Sequence, residues 1–120
     1  MSRKKRGQEL SGKTVKVKTS CGTLFTTINK DEEGNIIEIM VRLGKSGQCI
    51  SSLLEGIARN ISVALQSGTD IEDCISTLEN LACPSPFIDD GIKYTSCCDA
   101  IAKVVKKEYK GEDKKEEKKK

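Results

Sequence analysis

The feature that most restricts how this chain can fold is one long amphipathic stretch. From about Gln48 to Ser67 the apolar residues Ile50, Leu53, Leu54, Ile57, Ala58, Ile61, Ala64 and Leu65 recur at i, i+3, i+4 and i+7, which is one face of an α-helix. Such a helix buries its stripe only against an apolar surface supplied by the segments around it. Upstream, Lys13 to Thr19 alternates, with Val15 and Val17 on one side and Lys16 and Lys18 on the other. Thr23 to Asn29 is β-rich, and Ile36 to Leu43 sets Ile37, Ile39, Val41 and Leu43 on one face. These are strand patterns. Ser20-Cys21-Gly22 reads as a tight connection, and Asp31 to Asn35 as a turn with Gly34 or Asn35 suited to a positive φ.

Downstream, Gly68 sits where a helix C-terminal cap belongs. Thr69-Asp70-Ile71-Glu72 reads as a capping box for a second helix with Ile71, Cys74, Ile75, Leu78 and Leu81 on its apolar face. Cys83-Pro84-Ser85-Pro86 ends it, because neither proline continues a helix. Phe87 to Thr95 reads as an irregular loop or a short strand. Ser96 is placed to cap a third helix with Asp99 at N3, its inner face formed by Cys97, Ile101, Val104 and Val105 and its end near Tyr109. The expected fold is therefore α+β, a three-stranded antiparallel meander followed by two or three packed helices.

The 120 residues suffice for one domain. Residues 1–13 hold five basic side chains against one Glu, and residues 110–120 hold six Lys against four acids and nothing apolar. Both segments are expected to be charged and disordered, leaving residues 14–109 to form the domain. The ends account for the net charge of +3, so the body carries −3. A dedicated nucleic-acid domain carries a basic face on the fold itself, and four aromatic residues are few for a stacking platform. Weak, nonspecific, salt-sensitive nucleic-acid contact through the basic ends is what remains. No stretch approaches the ~20 apolar residues that span a bilayer, and the basic start lacks the apolar run of a signal peptide. A cytoplasmic location without membrane contact is expected. There, six cysteines are thiols, metal ligands or redox groups rather than structural disulfides.

Of these six, Cys74 lies on the apolar stripe of the second helix and reads as a small core side chain. Cys21, Cys49, Cys83, Cys97 and Cys98 lie at element ends or in loops, where ligands and reactive groups concentrate. Helix N-termini favour the thiolate at Cys49 and Cys97. Four thiolates can hold a structural zinc if the fold gathers them. The spacing alone does not require it, since there is no CxxC and no His, and on spacing alone buried or half-buried thiols are the favoured reading. The missing His also removes Cys–His nucleophilic catalysis.

A second candidate is Leu43-Gly44-Lys45-Ser46-Gly47-Gln48-Cys49, a strand passing through glycines into a helix. Gly44, Lys45, Ser46 and Gly47 offer backbone N–H groups and one cation to an anion or nucleotide. It is not a Walker A loop, because Ile39 stands where the first glycine belongs. A turn without ligand has the same sequence. Asp89, Asp90 and Asp99 read as loop and cap residues.

At Thr95-Ser96-Cys97-Cys98-Asp99-Ala100-Ile101 the chain resembles the TSCPD domain, which forms the C-terminus of adenosylcobalamin-dependent (class II) ribonucleotide reductases and also occurs as small free-standing proteins. Other segments agree in order. They are Thr19-Ser20-Cys21-Gly22, Thr27-Ile28-Asn29, Leu43 to Gly47 with Cys49, the helix Ile57 to Leu65 with Ser67-Gly68, and Cys83-Pro84-Ser85-Pro86. The resemblance covers roughly residues 14–106. Cys98 replaces the proline of the family's motif, adding a thiol. The reductase's catalytic barrel, with its radical cysteine and cobalamin site, is absent from these residues, so the chain is not expected to be an enzyme alone.

The resemblance groups Cys21, Cys49, Cys83 and Cys97 as one assembled metal site, with Cys74 and Cys98 outside it. It implies a setting in nucleotide or deoxynucleotide metabolism. The favoured reading is a non-catalytic accessory or regulatory module for ribonucleotide reduction, partnered with a reductase catalytic chain. The alternatives are a thiol redox relay for such a reductase, using Cys97 and Cys98, and a stand-alone binder of small nucleotides. The small core and the exposed edge of a three-stranded sheet make a homodimer plausible.

Overall fold

The computed structural model describes residues 10–44 and 48–118, and in it the alternating first half becomes a sheet. Strands β1 (Ser11–Thr19), β2 (Gly22–Lys30) and β3 (Ile36–Gly44) run antiparallel in the order β1-β2-β3. The register pairs Val17 with Leu24 and Leu24 with Leu43, and Thr26 with Val15 and Val41. Period-two alternation sends these residues to one face. There Val17, Leu24, Ile28, Ile39, Val41 and Leu43 are buried.

Helix α1 (Gln48–Gln66) covers the side of the sheet at β3. Ser62 Oγ accepts from Ile39 N–H at 2.9 Å, and its own proton is shared between the carbonyls of Ile39 and Ala58, each at 3.0 Å. Gln66 Nε2 donates to the Ile37 carbonyl at 3.2 Å. These bonds satisfy backbone groups that β3 does not give to β2. The edge expected to lie open is thus occupied over Ile37–Ile39. The stripe on α1 is used unevenly. Leu54, Ala58 and Ile61 are buried, whereas Ile50 and Leu53 are 42% and 68% exposed.

Helix α2 spans Ile71–Leu78 and buries Cys74, Ile75 and Leu78. Two expectations fail here. Asp70 is the N-cap and makes no side-chain capping bond, so the Thr69 box does not form. The helix also stops before the prolines, leaving Leu81 outside it and 48% exposed. Asn80 adopts a positive φ of 66°, and its N–H donates to a carboxylate oxygen of Asp99 at 2.8 Å. A long-range hydrogen bond turns the chain before local sequence would.

The stretch after the prolines contains a small hairpin, β4 (Phe87–Asp89) with β5 (Ile92–Tyr94). It is tied to β1 where Asp89 Oδ2 accepts from Lys18 N–H at 3.0 Å. Helix α3 runs from Cys97 past the expected end near Tyr109 to Lys118, through Lys and Glu residues of good helix propensity. Ala100, Ile101, Val104 and Val105 anchor it in the core. No helix among the described residues is long and apolar enough to cross a membrane.

Candidate functional site

One end of the sheet gathers the turn between β1 and β2, the loop around Cys83 and the start of α3. The turn is shaped by Thr19, whose hydroxyl accepts from the N–H groups of Cys21 at 3.0 Å and Gly22 at 3.1 Å and donates to the Gly22 carbonyl at 2.8 Å. Gly22 is required twice over. Its φ is 144°, and a Cβ there would stand 2.2 Å from the Gly44 carbonyl oxygen. The close approach also brings the end of β3 to the same place. From the turn, Ser20 Oγ donates to the Ser85 carbonyl at 2.7 Å. The loop is held from its other side by the Cys83 N–H donating to the Thr95 carbonyl at 2.9 Å and by Thr95 Oγ1 donating to the Leu81 carbonyl at 2.7 Å.

These bonds draw thiols from distant parts of the chain toward one another. Cys97 Sγ lies 3.6 Å from Thr19 Oγ1, and it interacts with the side chains of Cys21 and Cys83. Cys98 in turn feels Cys83, whose sulfur accepts from Ser85 N–H at 3.4 Å. Burial pushes the Cys97 thiol up, the contact with Thr19 opposes the rise, and the neighbouring Cys21 and Cys83 add to it. Burial, followed by proximity to Cys83, pushes Cys98 up as well. Both groups are therefore held as neutral thiols near neutrality, because separating charge there is costly and a second thiolate would be repelled.

Of the cysteines grouped by resemblance, Cys21 interacts directly with the Cys97 thiol, and Cys83 acts on it electrostatically. Cys49 is exposed in the first turn of α1, five residues beyond Gly44. Cys98, set outside the group, stands beside Cys83. All six thiols are free, and Cys74 is buried in the core as expected. Among the described residues no three Cys, Asp or Glu side chains converge as a ready cage for a metal ion. Of the glycine loop, Gly44 ends β3, while Lys45, Ser46 and Gly47 lie outside the described residues.

A residue that sequence reasoning treated as an ordinary cap holds this end together. Asp99, fully buried, does take the Ser96 hydroxyl on its N–H at 3.1 Å. Its carboxylate, however, accepts from Asn80 N–H at 2.8 Å and Thr95 N–H at 2.9 Å and pairs with Lys103 at 2.9 Å. Burial alone would raise its pKa, but these donors outweigh burial and hold it below the ordinary 3.8. An acid at N3 was the available signal. Its long-range partners were not readable.

Comparison with known proteins returns one finding. A family model described as TSCPD domain matches residues 1–109. No curated protein and no solved structure matches the chain.

Proposed function

We propose, from the premise that this chain belongs to the TSCPD domain family, that it is a non-catalytic accessory module for ribonucleotide reduction, organised around a thiolate metal site. The observation that carries the reading is the approach of Cys97 to Cys21, with Cys83 within electrostatic reach, from 76 and 14 positions away along the chain. Three thiols gathered from a hairpin turn, a proline-bracketed loop and a helix start, without a disulfide, suit a soft divalent ion. Sulfur-rich tetrahedral sets favour zinc. Cys21, Cys83 and Cys97 would be ligands, and Cys49 from the start of α1 would be the fourth. Cys98, beside Cys83, is the competing fourth. A bound cation would favour the thiolate form of its ligands, clamping the meander to α3 and contributing to folding.

The redox-relay alternative is disfavoured by the same geometry. A relay needs a readily formed thiolate, whereas burial raises both Cys97 and Cys98. The glycine loop remains the candidate contact for a nucleotide's phosphate, through the backbone after Gly44 and through Lys45.

The test is metal content by plasma mass spectrometry on untagged protein purified without chelator, with reactive thiols counted on the same sample. About one zinc per chain with four protected thiols is expected, along with a lower melting temperature after chelation. Cys49→Ser should lose the metal and Cys98→Ser retain it; the opposite pattern assigns Cys98 as the fourth ligand. Metal-free protein whose Cys21, Cys83 and Cys97 all react freely would overturn the site.

A further inference from the structure

The outer face of the sheet carries a charge pattern that the net −3 of the body conceals. Residues paired across antiparallel strands project to the same side, so the register builds rows across β1, β2 and β3. One row is Lys16, Phe25 and Arg42; on one side of it lies Lys18 with Thr23, and on the other Thr14, Thr27 and Met40. Lys16, Lys18, Met40 and Arg42 are exposed, on the face opposite the core. The Arg42 guanidinium stands 5.3 Å from the centroid of the Phe25 ring. No ion pair among the described residues neutralises Lys16, Lys18 or Arg42. The acid at the far end of this face, Glu38, accepts from Asn29 Nδ2 at 2.7 Å. Asp89 and Asp90 stand near Lys16 at the β1 edge, and the other acidic residues of the body lie chiefly on the helices and turns, so the middle of the sheet face is locally basic around an aromatic ring.

We propose that this face binds single-stranded nucleic acid. One base stacks against the Phe25 ring and the Arg42 guanidinium that lies over it, and Lys16 and Lys18 meet the backbone phosphates on either side. The chemistry is that of sequence-tolerant single-strand binding, in which a ring takes the π-face of an unpaired base while cations track the phosphates. A duplex keeps its base faces stacked inside. A free nucleotide is held best in a concave pocket that buries most of its surface, and this is an open face. A strand laid across the sheet uses the cations of two neighbouring rows, set about 6–7 Å apart along β1.

The test uses the full chain, a fluorescent twelve-residue oligothymidylate and an abasic strand of the same length and charge, with anisotropy followed across salt. The thymidylate should bind more tightly than the abasic strand. Phe25→Ala should weaken thymidylate binding about 5- to 150-fold and leave the abasic strand unchanged. Phe25→Leu, which keeps apolar bulk, should do the same and decides the matter if the alanine variant misfolds. Lys16→Ala and Arg42→Ala should each reduce the salt slope by about 0.7. Equal binding of the two strands, or wild-type thymidylate binding by Phe25→Leu, overturns the proposal and leaves only charge contact through the basic ends. Competition by thymidine monophosphate or by an acidic peptide as strong as that of the strand itself overturns it too.

Discussion

At the scale of single residues, two buried polar groups make opposite predictions. Asp99 is ionised in the core and receives three donors, so its amide analogue would present an N–H group to other N–H groups. Asp99→Asn is expected to cost about 2–3 kcal/mol, read by urea unfolding at pH 7. Because its pKa lies below the ordinary 3.8 in the folded protein, its contribution is present above that value and is lost as pH falls through the lower, folded one. Wild type should therefore lose stability on acidification below about pH 4 in a step that Asp99→Asn lacks. Thr26 is the reverse case. Its side chain faces the core between Val15 and Val41, and its hydroxyl is buried without a partner among the described residues. Thr26→Val removes an unpaid desolvation and keeps the β-branched shape, so it should stabilise by about 1 kcal/mol. For a domain of this size that raises Tm by about 4–8 °C. A lower Tm would mean that the hydroxyl has a partner in solution.

At the scale of elements, the strands were legible because alternation states both their type and their buried face. Val17, Leu24, Ile39, Val41 and Leu43 are inside as their period requires. The helices were legible as helices, but less so in their ends and contacts. Periodicity carries α2 on to Leu81, yet the helix stops at Leu78 because Asn80 is bound to a carboxylate 19 residues away, which no local pattern contains. The exposure of Leu53 likewise depends on where the sheet ends beneath α1. The thiol cluster was legible only through the order of family motifs, since chain spacing carries no distance between Cys21 and Cys97. Cys98 was set outside the metal group because the motif has proline there. The glycines of the β1–β2 and β2–β3 turns also separate backbone strain from crowding. Gly34, at φ 85°, has nothing within 4 Å of an added Cβ, so Gly34→Ala should cost only the left-handed penalty of about 1–2 kcal/mol. Gly22→Ala adds a collision with the Gly44 carbonyl and should cost clearly more in the same unfolding experiment. It should also speed alkylation of Cys21 and Cys97 as the turn is pushed from α3. Equal costs for the two variants would mean that β3 yields freely at its end.

At the scale of the whole molecule, the sheet divides the chain's chemistry. One face is open and locally basic; the other supports the helices, with the thiols gathered at one end. Cys74 provides an internal probe of whether these layers separate independently. It lies where β3, α1, α2 and α3 meet, bordering a void of about 10 Å³ with Ile39, Ile61 and Ile101. Burial, and secondarily the adjacent Asp73, pushes its thiol up. It is buried in the core, so a reagent reaches it when the core around α2 opens. In chelator-stripped protein, alkylation followed by mass spectrometry should therefore modify the exposed Cys49 first and Cys74 last, with Cys74 slowed relative to Cys49 by at least about 1,000-fold, the lower end of folding equilibrium constants. Its modification in urea should follow the same midpoint as the loss of circular dichroism, as a single cooperative unit requires. Labelling of Cys74 at a urea concentration where the sheet signal is intact would show that α2 opens on its own, and the helical layer would then be a separate unit from the meander.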